Sequence, residues 1–149
     1  IGNQCGAATQ NNMAIWGTSF AANQEVYLDI AVVPGASQQF QLILRSESGT
    51  ATRTKSYYIR FVNDATMTIQ VLSVIAAVET NIGAQFNYGS AMVGGMQIGV
   101  RISGSTISVW VNGVQQFTRT DSSITAAGFI AATPTDEVGR IDNFGGGAL

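Results

Sequence analysis

Nine polar and aromatic residues fall at alternate positions along strand-like stretches, on the side away from the apolar ones. In chain order they begin with Tyr27, Asp29, Gln41, Arg45 and Tyr58. Arg60, Gln70, Arg101 and Trp110 complete the set. Aromatic rings flanked by amides, a carboxylate and arginines are the groups that hold sugars. A ring stacks on the apolar face of a pyranose, and the polar groups bond its hydroxyls. The same residue types also serve framework roles. Trp110 is expected to cap a glycine, Tyr58 to lie under a loop, and Arg45 and Arg60 to pair with Asp29 or with backbone carbonyls. Seven of them (Tyr27, Asp29, Arg45, Tyr58, Arg60, Arg101 and Trp110) are the candidate contacts for a glycan or a protein partner.

Catalytic chemistry finds less material. The chain has no histidine, which removes the commonest general base and metal ligand and any Ser/His/Asp arrangement. Glycoside hydrolysis needs two carboxylates about 5–9.5 Å apart. Glu25 and Asp29 are read as facing opposite sides of a strand, and Asp136 and Glu137 are adjacent in a loop. Asp142 stands alone near the last strand and reads as a turn residue. No catalytic residue is assigned, and the chain is read as a non-enzyme. Asp64, Asp121, Asp136 and Asp142 sit at or near loops, which leaves room for a calcium ion held by oxygen ligands. Their spacing matches no known calcium loop, and turn chemistry accounts for isolated loop aspartates. No cofactor is expected. The single cysteine, Cys5, forms no intrachain disulfide and is read as a free thiol or an intermolecular bridge.

Composition narrows the partners. Seven Lys and Arg against nine Asp and Glu give a net charge of −2, without a basic block, so a nucleic acid backbone is not an expected partner. The apolar run 71–78 is too short to cross a hydrocarbon core of ~30 Å. Charged residues make up 11% of the chain, below the ~25–35% usual on a solvated surface. That shortage suggests a surface covered by neighbours in a homo-oligomer or larger assembly. The sequence starts at Ile1, consistent with processing or with a piece of something longer. Residues 1–12 are polar, small and aperiodic, and read as an arm ordered on a neighbouring subunit; 13–149 read as one domain.

The elements that position the candidates are strands, because apolar residues recur with period two. Val26, Leu28, Ile30 and Val32 share one face of an early strand; Phe40, Leu42 and Leu44 share one face of the next. A hairpin with Val33 opposite Gln39 pairs them apolar to apolar and sets Tyr27 beside Arg45. A second hairpin turns at 63–65 and sets Met67, Ile69 and Val71 against Phe61, Ile59 and Tyr57, with Tyr58 beside Gln70 and Arg60 beside Thr68. In the third, Gly104-Ser105 turns Ile98, Val100 and Ile102 onto Val111, Val109 and Ile107, which sets Trp110 opposite Gly99 as a ring over bare backbone. Asn112-Gly113 starts another hairpin, with a bulge expected near Gln115-Gln116 to return Phe117 to the core. Short strands follow at 128–132 and 138–144, with Gly145 to Gly147 punctuating the end. Residues 13–20 suggest an early strand, and 73–79 reads equally as strand or short helix. Many short strands with frequent turns make an all-β, antiparallel two-sheet sandwich or barrel.

The stretches 56–61, 98–113 and Ile141-Asp142-Asn143-Phe144, with Arg45, Asp121 and Gly128, resemble the concanavalin A-like lectin/glucanase superfamily, in its laminin-G-like jelly-roll branch. The resemblance spans about residues 13–144 and implies a jelly-roll sandwich. It implies no single activity, since the superfamily holds glycosidases, lectins, carbohydrate-binding and adhesion modules, and phage tail and capsid parts. The Glu-x-Asp-x-x-Glu strand motif of its glucanases is absent. The legume-lectin metal pair and the galectin sugar contacts each use a histidine that this chain lacks. The expectation is therefore a non-catalytic binding or capsid-decoration module at a virion surface or outside the cell, working through subunit contacts and surface glycans. The alternative is a monomeric lectin-like carbohydrate-binding module, and the least favoured is a glycoside hydrolase.

Overall fold

A computed structural model of the chain describes residues 5–6, 13–50 and 54–149. These carry strands and no helix, in two antiparallel sheets facing each other. The first sheet runs β1 (Cys5–Gly6), β13 (Arg140–Ala148), β3 (Gln24–Val32), β9 (Gln97–Ser103), β10 (Thr106–Val111) and β11 (Val114–Thr120). The second runs β2 (Ala14–Ile15), β12 (Phe129–Pro134), β4 (Gln39–Ser46), β5 (Lys55–Val62), β6 (Thr68–Ile75) and β7 (Val78–Asn81), with β8 (Phe86–Asn87) also on β6. Of the 1–12 arm, Cys5 and Gly6 pair with Ile141 and Arg140 of the same chain; the remainder lies outside the described residues. No helix among the described residues is long and apolar enough to cross a membrane.

Alternation builds the core. Val26, Leu28 and Ile30 of β3 and Ile98, Val100 and Ile102 of β9 point inward, against Phe40, Leu42 and Leu44 of β4 and Tyr57, Ile59 and Phe61 of β5. All are buried to 1% exposure or less. At roughly 1.5–3 kcal/mol for each large apolar side chain removed from water, this layer supplies the main drive to fold.

The first expected hairpin does not form. β3 pairs with β9 and β13, while β4 pairs with β5 and β12, so the 33–38 connection arches from one sheet to the other. Alternation says which face of a strand is apolar, and two apolar faces are equally satisfied side by side or across a core. Tyr27 and Arg45 therefore stand on different sheets.

The second hairpin forms with its register moved by two residues. Phe61 pairs with Ile69, Ile59 with Val71, Arg60 with Gln70 and Tyr58 with Leu72. The turn is longer than expected because Met67 leaves the ladder: its N–H donates to Ser90 O, its carbonyl accepts from Tyr88 N–H, and its side chain is buried. A shift of two keeps every side chain on its own face.

The third unit has the expected register, including Trp110 opposite Gly99. The bulge is there too: Val109 pairs with Phe117 and Trp110 with Gln115, leaving Gln116 over. The 73–79 stretch is a strand hairpin turning at Ala76-Ala77, both at positive φ. Gly145, Gly146 and Gly147 continue β13 along β3 instead of ending the fold.

Candidate functional site

On the first sheet's outer face the odd-numbered residues of β3 and β9 form cross-strand rows: Glu25 opposite Arg101, Tyr27 opposite Gly99, and Asp29 opposite Gln97. β10 adds Ser108 beside Arg101 and Trp110 beside Gly99, and β13 adds Gly145 beside Tyr27. A groove opens along the middle row, lined by Glu25, Tyr27, Gln97, Gly99, Arg101, Trp110 and Gly113, with about 470 Å³ of space open to solvent.

Gly99 makes the floor. A Cβ built there would meet Tyr27 Cβ at 3.3 Å and Val26 O at 3.5 Å, and no ring atom as close. Gly99 is nonetheless buried, as expected of a glycine facing Trp110 across the ladder. The Trp110 indole is drawn along its own strand, where Nε1 donates to Ser108 Oγ at 3.1 Å and the Arg101 guanidinium carbon sits 4.8 Å from the ring centroid. Tyr27 leans the opposite way, over Gly145, where a Cβ would lie 2.6 Å from the phenol oxygen. The two aromatics thus flank the buried Gly99, with Tyr27 inclined over Gly145 and Trp110 toward Ser108.

Polar groups close both ends. At one, Arg101 Nε donates to Glu25 Oε2 at 2.9 Å. At the other, Asp29 accepts from Gln97 Nε2 at 3.0 Å and from Asn143 Nδ2 at 2.7 Å. Glu25 and Asp29 share this face, contrary to the sequence reading, because four residues are two full periods of a strand. Their backbones lie ~13 Å apart on that spacing, and each carboxylate is bonded within its own row, Glu25 to Arg101 and Asp29 to Gln97. Asp142 opposes Asp29 and accepts from Asn143 N–H at 2.8 Å. Asp29 and Asp142 are half-exposed, and each is bonded to Asn143.

The other three candidates lie elsewhere. Arg45 is buried, at φ +50°, at the end of β4. Nε donates to Ala22 O at 2.8 Å, Nη1 to Ile124 O and Nη2 to Gly104 O at 2.7 Å. Burial pulls the Arg45 guanidinium below its ordinary value, partly offset by Tyr57. It ties loops together and is not offered to a ligand. Tyr58 is buried on the second sheet's outer face, in a cluster with Ile43, Leu72, Val74 and Ala131 against which Met13 and Ile15 pack. Arg60 on that face donates from Nη2 to Glu79 Oε1 at 2.5 Å. Its cross-strand neighbour Gln41 is buried, and its other neighbour Gln70 donates to Gln85 Oε1 at 3.0 Å.

The loop aspartates carry out turn chemistry. Asp136 accepts from Gly35 N–H at 2.6 Å and Gly139 N–H at 2.8 Å, and Asp64 accepts from the Ser37 and Thr68 hydroxyls, each at 3.3 Å. Asp121 accepts from the Tyr57 phenol at 2.6 Å and from Ser123. Among the described residues no three His, Cys, Asp or Glu side chains gather to hold a metal.

Sequence reading missed Glu25 and Gln97 as groove residues, and Asn143 as a partner of Asp29 beside it. The first two were accessible by counting in twos from Tyr27 and Arg101. Asn143 was not, because it sits at positive φ in a bulge of β13 that the sequence does not announce.

No family model and no curated protein matches this sequence. Solved structures do resemble the fold. The carbohydrate-binding module CBM66 from Bacillus subtilis superposes with a TM-score of 0.70 at 9% identity, over 99% of this chain and 92% of that one. A human galectin-16 variant gives 0.67 at 10% identity, over 96% and 100%. The glycoside hydrolase family 43 protein BlXynB from Bacillus licheniformis gives 0.59 at 9%, over 86% of this chain and 28% of that one. At these identities the likeness is one of fold, and the fold is a two-sheet jelly-roll sandwich.

Proposed function

We propose that the chain is a lectin-like, non-catalytic carbohydrate-binding module that seats a glycan in the groove between Tyr27 and Trp110. The observation that carries this reading is a groove lined by Tyr27 and Trp110 above the buried Gly99, with an arginine–carboxylate pair at one end and Gln97, bonded to Asp29, at the other. A sugar presents apolar CH faces to rings and hydroxyls to just such donors and acceptors. The carbohydrate-binding and galectin names among the similar structures support this reading over capsid decoration. The separate bonding of Glu25 and Asp29, each within its own row, supports a binding role over hydrolysis.

The test is a glycan microarray followed by titration of intrinsic fluorescence. At least one oligosaccharide should bind with a Kd on the order of 10 μM to 1 mM, about −7 to −4 kcal/mol. Trp110→Ala and Tyr27→Ala should each weaken it tenfold or more while the thermal midpoint stays close to wild type. Unchanged binding in both variants would place the site elsewhere, and a blank array would end the reading.

A further inference from the structure

The Arg101 guanidinium is both held and half-spent. Its Nε donates to Glu25 Oε2 at 2.9 Å, and its central carbon lies over the Trp110 ring, 4.8 Å from the centroid. Its side chain is still 50% exposed. Among the described residues no hydrogen bond engages Nη1 or Nη2, so the outer edge of the fork keeps its two parallel N–H donors at a residue that lines the groove. An arginine that has already lost its rotamer freedom to a ring and one carboxylate contact is prepared to bind a second planar anion, since little ordering cost is left.

The opposite end has the reverse polarity. There Asp29 brings negative charge and Gln97, through its carbonyl oxygen, brings an acceptor; both accept hydroxyl protons and repel an anion. A ligand suited to both ends carries a carboxylate at one side and bare hydroxyls at the other.

We infer, resting on the glycan reading above, that the groove selects an acidic sugar, a uronate-type residue whose carboxylate takes the free edge of Arg101 while its hydroxyls point toward Asp29 and Gln97. Two parallel N–H···O bonds match a planar carboxylate in a way that a lone hydroxyl does not. The Glu25 partner strengthens the selection in another way: it neutralises Arg101 against diffuse charge attraction, so the gain comes from geometry at short range.

The test uses the intact chain and paired probes. Oligosaccharides of galacturonate, glucuronate and mannuronate are titrated beside their methyl esters, with neutral glucan, galactan and fructan oligosaccharides alongside, and with dextran sulfate as a charge control. At least one uronate should bind ten times more tightly than its own methyl ester and keep most of that margin in 0.5 M NaCl. Arg101→Gln should erase the margin, Arg101→Lys should keep only part of it, and Arg60→Gln on the other sheet should leave it whole. Binding of neutral oligosaccharides with no uronate margin overturns this inference and leaves the glycan reading standing. No binding to any probe overturns both. Binding to dextran sulfate as tight as to the uronates, lost in salt, also overturns it, since charge alone would then explain the uptake.

Discussion

Two cross-strand ladders run over the outer faces of the two sheets, and they met opposite fates. On the second sheet the ladder passes Ile15, Ala131, Ile43, Tyr58 and Leu72, and it is largely buried, with Met13 and Ile15 packed onto it. On the first it passes Gly145, Tyr27, Gly99, Trp110 and Gln115, and its middle is an open groove. Both place a tyrosine at an outward position between two strand neighbours. Tyr58 is flanked by the branched side chains of Ile43 and Leu72 and is closed over. Tyr27 is flanked by two glycines, whose lack of side chains lets its ring settle over Gly145 and stay 37% exposed. What decides whether an outward aromatic serves the framework or a ligand is the bulk of its neighbours across the ladder, more than its own type.

The largest effect should come from breaking the closed ladder. Tyr58→Ala removes a ring buried to 1% exposure and should cost about 3–5 kcal/mol in denaturant unfolding, with glycan binding by the folded fraction unchanged. A loss below about 1 kcal/mol would mean that the second face is not closed as described.

Filling the open ladder should do the reverse. Gly99→Val puts a branched side chain on the groove floor, its Cβ 3.3 Å from Tyr27 Cβ. Glycan affinity should fall tenfold or more, and crowding at this buried position should cost about 1–3 kcal/mol of stability without unfolding the sandwich. Retained affinity would show that the floor is not used.

The smallest effect lies outside both ladders and separates the framework's response to pH from the groove's. Burial works against ionisation of Asp121, but hydrogen bonds from Ser123 and from the Tyr57 phenol outweigh it and hold the carboxyl below its ordinary 3.8. The folded state therefore gains stability from ionised Asp121 above that value and loses it progressively as pH falls below it. Thermal midpoints measured from pH 5 to pH 2.5 should decline, and Asp121→Asn should flatten part of that decline. An identical slope in the variant would remove Asp121 as a contributor.

Period two made the layers readable in the sequence. The inward sets of β4, β5, β9 and β10 are those expected, that of β3 is too except for Val32, which ends the strand 44% exposed, and the Asn112-Gly113 turn and the bulge at Gln116 stood out because each has its own local chemistry. Pairing partners were not readable: nothing in Val26–Val32 distinguishes a neighbour in the same sheet from one across the core. Four of the seven candidate residues, Tyr27, Asp29, Arg101 and Trp110, come together on one face. Arg45 and Tyr58 were misjudged for one physical reason: an outward position predicts exposure only when no other segment lies over it, and coverage is a tertiary fact. Arg60 does face outward, but it stands on the opposite sheet and is occupied by Glu79.

Arg45 also has a consequence for how the sandwich comes apart. Its three acceptors belong to the loop before β3, the β9–β10 turn and the loop before β12, while the arginine itself ends β4. Releasing any one of those loops strands a charged N–H in a largely dry place, at roughly the cost of a buried hydrogen bond to a charged group, ~1.5–3 kcal/mol. The other two then lose the geometry that held them. That end of the molecule thus behaves as one cooperative unit, in which separate pieces of chain do not fray on their own but open together or stay shut.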